Sequence, residues 1–283
     1  MDFDEVRRLA IVALFSDDQL MEQLVLKGGN AISLVYGVSS RASRDLDFSL
    51  ASDFPDLEDA RRRIFRALKD RFDSAGYVVF DEILEPKPKL DGPDERPWWG
   101  GYELRFKLIE RPEYERLKGR YAKMQVDAYR VGPHEQKTFS VDLSKYEFTE
   151  GKIERDLDFY KIYVYTLDMI AIEKLRAICQ QMPEYVLKGN RQARARDFYD
   201  VYLIVTKGAV DLATPENQDL TRKIFAAKRV PLRFLGKIAD YREFHRPDWQ
   251  AVIESVPQEV EAFDFYFDFL LTQIERLKPL WEE

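Results

Sequence analysis

Residues 24–31 read Leu24-Val25-Leu26-Lys27-Gly28-Gly29-Asn30-Ala31, and residues 44–50 read Arg44-Asp45-Leu46-Asp47-Phe48-Ser49-Leu50. The first stretch is a short apolar run that stops at two glycines, and Ala31 to Tyr36 then suits a helix. A strand that ends on Gly-Gly and opens a helix gathers backbone N–H groups at one point, where a phosphate can be cradled. The second stretch alternates polar and apolar residues, the pattern of a strand with one buried face. Asp45 and Asp47 therefore share a face, roughly 7 Å apart at Cα, with Leu46 and Phe48 on the other. Two like charges on one face are relieved by a hard cation such as Mg²⁺, which takes carboxylate oxygens. The alternatives for these features are a plain tight turn and two solvated acids.

Working outward, helical spacing covers the first twenty-odd residues, and Asp56 is expected to cap a helix carrying Leu57, Ala60, Ile64, Leu68 and Phe72. Strands are expected at 77–80, 103–109, 121–131, 139–143 and 160–165. The segment 103–109 alternates cleanly and should have one wet side. The Pro/Gly-rich stretch 85–101 reads as a long loop. Its Trp98-Trp99 pair is expected to anchor the loop, with base stacking as the alternative. Beyond 158–166 the spacing turns helical, at 167–180, 191–206, 218–227, 231–241 and 257–278. The last of these is aromatic nearly all round, as a buried helix would be. The reading is an α/β (α+β) protein: a mixed-sheet domain over 1–160, then a mostly helical domain over 161–283.

Two-metal phosphoryl-type chemistry calls for a third carboxylate from a neighbouring strand. Asp142, between Val141 and Leu143, is preferred to Asp127. In the helical half, Lys174 falls inside the apolar stripe Leu167, Ile170, Ala171, Leu175 and Ile178. Arg194 and Asp197, flanked by Arg191, share the arc of Phe198, Val201, Tyr202 and Val205. Charges on a buried face need partners. An Arg–Asp structural ion pair accounts for part of this pattern, and a buried anion such as a triphosphate accounts for all of it.

Charge sharpens the point. The whole chain carries 44 Lys+Arg against 51 Asp+Glu, a net charge of −7, which argues against a protein that coats nucleic acid nonspecifically. Residues 171–196 carry six basic side chains against two acidic, a local +4, leaving −11 outside. That distribution predicts a confined basic cleft suited to an RNA end. The single cysteine, Cys179, precludes an internal disulfide, and the sequence has no signal-peptide-like start, so a cytoplasmic setting is expected. His134 and His245 are the only histidines, both in loop-like, Pro-flanked settings, which disfavours a catalytic triad or a His-rich metal site.

Five blocks in order resemble the AbiEii/AbiGii toxin family of nucleotidyltransferase-like proteins. They are Gly28-Gly29-Asn30-Ala31, Arg41-Ala42-Ser43-Arg44-Asp45-Leu46-Asp47-Phe48, Asp142-Leu143-Ser144, Glu173-Lys174-Leu175-Arg176-Ala177 and Arg196-Asp197-Phe198-Tyr199-Asp200. The resemblance implies a DNA polymerase β-type nucleotidyltransferase fold. It also implies a metal-dependent toxin of a toxin–antitoxin pair that moves nucleotides from an NTP onto an acceptor such as tRNA. Carried over, Gly28, Gly29 and Asn30 hold phosphates, and Ser43 joins the nucleotide-binding set. Asp45 and Asp47 bind Mg²⁺ (or Mn²⁺), and Asp142 is third ligand or general base. Lys174 contacts the nucleotide, alongside Arg191 and Arg194, and Asp197 completes the site. Asn30 stands where Ser or Thr is commoner, so an amide donor replaces a hydroxyl. Nucleotidylation of a small molecule or protein, and a non-catalytic nucleotide- or antitoxin-binding module, are the competing readings.

Overall fold

The computed structural model describes residues 1–41, 46–89, 98–130, 136–187 and 190–282. Ser43, Asp45, His134 and Lys188 lie outside them. Along the chain come α1 (Phe3–Phe15), α2 (Asp18–Gln23), β1 (Val25–Lys27) and α3, a helical turn over 28–35 whose second part is a π-turn. Next are β2 (Leu46–Ser49), α4 (Leu57–Ser74), β3 (Tyr77–Lys87), β4 (Gly101–Glu110), α5 (Arg111–Leu117) and α6 (Tyr121–Val126). β5 (Phe139–Ser144), β6 (Ile153–Leu157) and β7 (Tyr160–Val164) follow. The remainder is helical: α7 (Leu167–Cys179), α8 (Ala195–Lys207), α9 (Pro215–Ala227), a 3₁₀ segment Leu232–Tyr241, α10 (Arg242–His245), α11 (Trp249–Ser255) and α12 (Phe263–Arg276).

The chain forms two compact units, Met1–Leu26 with Asp45–Val164, and Lys27–Arg44 with Tyr165–Glu283. In the first, seven strands among the described residues make one mixed sheet in the order β3-β4-β5-β2-β1-β7-β6. β2 pairs with β5 and β1 with β7 in parallel, while β3/β4, β4/β5 and β6/β7 are antiparallel. Period-2 alternation gives β2, β4 and β5 one apolar face (Leu46, Phe48, Leu104, Phe106, Leu108, Val141, Leu143), all buried. α1 and α4 pack with each other, and their rings meet this face through Phe15–Phe48 (5.9 Å) and Phe72–Phe106 (5.7 Å). Burying these aromatic and aliphatic side chains contributes about 2 kcal/mol each, the main driving force for this layer. The opposite face of the same strands is left polar.

The second unit is built on α7, α8, α9 and α12, with α3 brought in by the chain reversal after β1. The Tyr36 hydroxyl donates to the Tyr165 carbonyl (2.7 Å), tying the 27–44 segment to the helical part. α12 buries Phe263, Tyr266, Phe267, Leu270 and Ile274, with Phe267 stacked on Phe198 at 5.1 Å. Phe265, at 45% exposure, is the aromatic that its all-round pattern leaves outside.

Four differences from expectation concern the elements, the first being that β3 runs on to Lys87, into the stretch 85–101 expected as a loop. The segment 121–131, expected as a strand, is the helix α6 followed through Arg130 by irregular backbone. Its buried residues Met124 and Ala128 are four apart, a helical spacing, whereas Val126 is 64% exposed. β6 has no alternating signal, because Glu154, Arg155 and Asp156 are all exposed on an edge strand. α8 starts at Ala195 rather than 191, since Arg194 leaves the helical conformation at φ −135°.

Candidate active site

The polar face of the sheet carries the first part of the site. Strand register places Asp47 beside Asp142 on the parallel β2/β5 pair, and Asp142 beside Glu103 on β4. Glu103 is in turn opposite Glu85 on β3. Four carboxylates thus lie in one row across four adjacent strands, each neighbour about 5 Å away at Cα. Asp127, the competing third carboxylate, caps the C-terminus of α6 and is not on the sheet. Asp142 and Asp47 are the hard-oxygen donors that register brings together, and that donor set suits a divalent ion. Among the described residues no three His, Cys, Asp or Glu side chains are grouped closely enough to hold one ion. Asp45 and Ser43, both assigned to the site from sequence, lie outside the described residues.

Cations already sit along the row. The Lys87 ammonium donates to both oxygens of Asp142 (2.8 and 3.0 Å) and approaches Glu103 at 3.5 Å. Arg105 bridges Glu85 (2.9 Å) and Glu103 (3.3 Å), and Lys89 meets Glu85 (2.8 Å). Desolvation pulls the Lys87 pKa down, but Asp142 and Glu103 outweigh it and hold the ammonium above its ordinary value. Lys87 was read only as part of a loop. Its signal, a lysine two residues beyond Glu85 on one strand face, becomes visible once β3 is known to extend that far.

The glycine turn lies in the second unit. Gly28 adopts φ +70°, a left-handed conformation that a side chain would strain, and this lets β1 break sharply into α3. Gly28, Gly29 and Asn30 are buried, Asn30 completely. Lys27, just before the turn, is buried and donates to Glu173 of α7 (3.0 Å), which also accepts from Arg176 (3.2 Å).

Lys174 is the centre of a buried ionic network in the same unit. Its ammonium lies 2.8 Å from Asp197 and 2.8 Å from Asp200, one turn apart on α8. Arg41 grips Asp200 with two bonds, Nε to Oδ1 (3.1 Å) and Nη2 to Oδ2 (2.9 Å). Arg194 closes the chain on the second oxygen of Asp197. Burial raises the Asp197 and Asp200 pKa values, but Arg194 and Lys174 at the first, and Arg41 and Lys174 at the second, hold both below the ordinary carboxylate range. Burial likewise lowers the Lys174 pKa, and the two aspartates outweigh it and keep the lysine charged. The Arg–Asp pairing considered from sequence is therefore present, with Lys174 part of it.

Arg191 is exposed and precedes α8, so it does not share the arc of Asp197. The local +4 of 171–196 is largely answered from outside that window, by Asp197, Asp200 and Asp248, the last 3.7 Å from Arg196. Where a confined basic cleft was expected, Lys174, Arg194 and Arg196 are instead part of an interlocked ion network. Asp200 and Arg41 are the residues sequence reasoning undervalued. Asp200 sits one helical turn from Asp197, a local clue, whereas its partner Arg41 is 159 residues away.

Comparison with known proteins gives the class of protein to which the chain belongs. A family model described as "Nucleotidyl transferase AbiEii toxin, Type IV TA system" matches residues 10–269. The chain belongs to the AbiEii family of nucleotidyltransferase toxins. No curated protein matches the sequence. Among solved structures, the chain is similar to JHP933 from Helicobacter pylori (TM-score 0.48, 15% identity, 99% of this chain and 91% of that one). It is also similar to a candidate nucleotidyltransferase from H. pylori (0.49, 15%, 99% and 94%). A third similarity is to an antigenic nucleotidyltransferase-like protein from Paracoccidioides brasiliensis (0.36, 12%, 90% and 95%). No helix among the described residues is long and apolar enough to cross a membrane.

Proposed function

We propose that this protein transfers a nucleoside monophosphate from an NTP to the 3′ end of an RNA acceptor such as tRNA. The observation that carries the reading is the registered Asp47–Asp142 pair on the polar face of the sheet, in a chain whose family is that of nucleotidyltransferases. Asp45, Asp47 and Asp142 would hold Mg²⁺ or Mn²⁺. Such an ion, when bound, neutralises charge that develops on the transferring phosphoryl group. Gly28, Gly29 and Asn30 bind phosphate oxygens through N–H donors, and Ser43, from the sequence block that carries the aspartates, joins the nucleotide-binding set. Lys174 spends two of its three N–H donors on Asp197 and Asp200, and in this reading the third contacts the nucleotide. Asp197 acts by holding Lys174 and Arg194, and Arg191, in the segment before α8, adds positive charge. The acceptor hydroxyl forms the new P–O bond at the α-phosphate, the α–β bond breaks, pyrophosphate leaves and the hydroxyl proton passes to water. A cognate antitoxin and a cytoplasmic setting belong to the same proposal.

The test is incubation with each labelled NTP, divalent ion and total tRNA. Label is expected on RNA with the wild-type chain and reduced at least 100-fold in Asp47→Ala, the scale of removing an electrostatic transition-state contribution. Label on protein or on a small molecule would redirect the acceptor assignment. Measurable NTP binding with no transfer to any acceptor would overturn the enzymatic reading.

A further inference from the structure

The Lys87–Asp142 contact is unaccounted for by the proposed chemistry. Asp47, Asp142, Glu103 and Glu85 stand in register on four strands, and like charges directly across a sheet repel. Arg105 and Lys89 serve the Glu85–Glu103 end of the row, and Lys87 serves the Asp142 end. Its stem can lean over β4 because the residue in register with it is Gly101. Gly101 has no side chain to stand in the way, and a Cβ there would lie 2.0 Å from the Leu143 carbonyl oxygen. The ammonium takes a lone pair on each oxygen of Asp142, so a metal ion there must either share the carboxylate with an adjacent positive charge or displace it. Lys87 is also half-exposed (51%), and an exposed ammonium returns to water at little cost.

We propose that Lys87 is a tethered cation of the active site, which holds Asp142 in the absence of a divalent ion and is displaced from it when one binds. The chain thereby sets its own ion affinity. This inference rests on the reading of Asp142 as a metal ligand.

Calorimetric titration of Mn²⁺ into the full-length protein, without nucleotide, tests it. Lys87→Met is expected to tighten Mn²⁺ binding roughly three- to tenfold, the range for losing a competing, partly exposed charge contact. Lys89→Met removes the same charge from the same hairpin without touching Asp142, and should change affinity less than twofold. Lys87→Arg, which keeps a cation there, should leave affinity at or below wild type. Lys87→Gln repeats the test should the Met variant fail to fold, with far-UV circular dichroism as the check. Unchanged affinity in Lys87→Met beside weakened binding in Asp142→Asn would overturn the proposal and leave the metal site standing. Equal tightening by Lys87→Met and Lys89→Met would also overturn it, because general charge then suffices. Asp142→Asn binding as tightly as wild type, or no Mn²⁺ binding by any variant, would overturn both.

Discussion

His245 shows how one buried residue ties charge to stability. Its Nδ1 accepts the backbone N–H of Arg194 at 3.1 Å, so that nitrogen must be unprotonated, and the ring packs on Phe198 (5.2 Å). Burial, opposed by Asp197, pushes its pKa down to about 4 from 6.5. The folded state therefore binds this proton less readily than the unfolded state. Its stabilisation is complete above about pH 6.5 and is lost as pH falls towards 4. Between pH 7 and 4.5 this contributes about 2 kcal/mol of lost stability. Urea unfolding at stepped pH should show that decline, and His245→Gln should flatten it. An equally steep decline in the variant would assign the effect to other groups. From sequence His245 looked like a loop residue. Its role depends on α8 starting at Ala195, because only then does the Arg194 N–H need an outside acceptor.

Among the elements, α4 follows local rules throughout. Asp56 accepts the Asp59 N–H at 3.0 Å, Glu58 and Asp59 occupy the positive N-terminal end, and Ala60, Ile64, Ala67, Leu68 and Phe72 form the buried stripe. Asp56→Ala should cost about 1 kcal/mol, read as a lower Tm with unchanged NTP transfer. No change in Tm would mean the cap contributes nothing here. α4 was legible because its signals are all within four residues of one another. α6 was not, since six residues carrying apolar Tyr121, Met124 and Val126 fit either period until packing chooses. β6 gave no signal at all, as an edge strand buries almost nothing.

For the whole molecule, the division of the chain matters most. Residues 27–44 belong with 165–283, and they supply Lys27 to Glu173 and Arg41 to Asp200. A chain truncated to residues 165–283 would leave Asp200 and Glu173 without these partners. Asp200 keeps Lys174 and Glu173 keeps Arg176, so the loss is partial, but it approaches the roughly 3–5 kcal/mol of a broken buried pair, a large part of a domain's roughly 5–15 kcal/mol stability. The truncated chain should therefore lack a cooperative thermal transition by circular dichroism. A sharp transition near that of the full-length protein would show that the 27–44 segment is dispensable for folding.

The sequence by itself determined the alternating strands, the helical second half, the glycine break at Gly28 and the acidic strand of Asp47. Each of these follows from side-chain period or from backbone sterics acting over a few residues. Tertiary structure alone decided that Asp142 rather than Asp127 stands beside Asp47, that Lys87 occupies Asp142, and that Arg41 and Asp200 lock Lys174 in place. Those pairings join residues from 26 (Lys174 to Asp200) to 159 (Arg41 to Asp200) positions apart. They are selected by strand register and by the cost of burying an unpaired charge, neither of which a local pattern records.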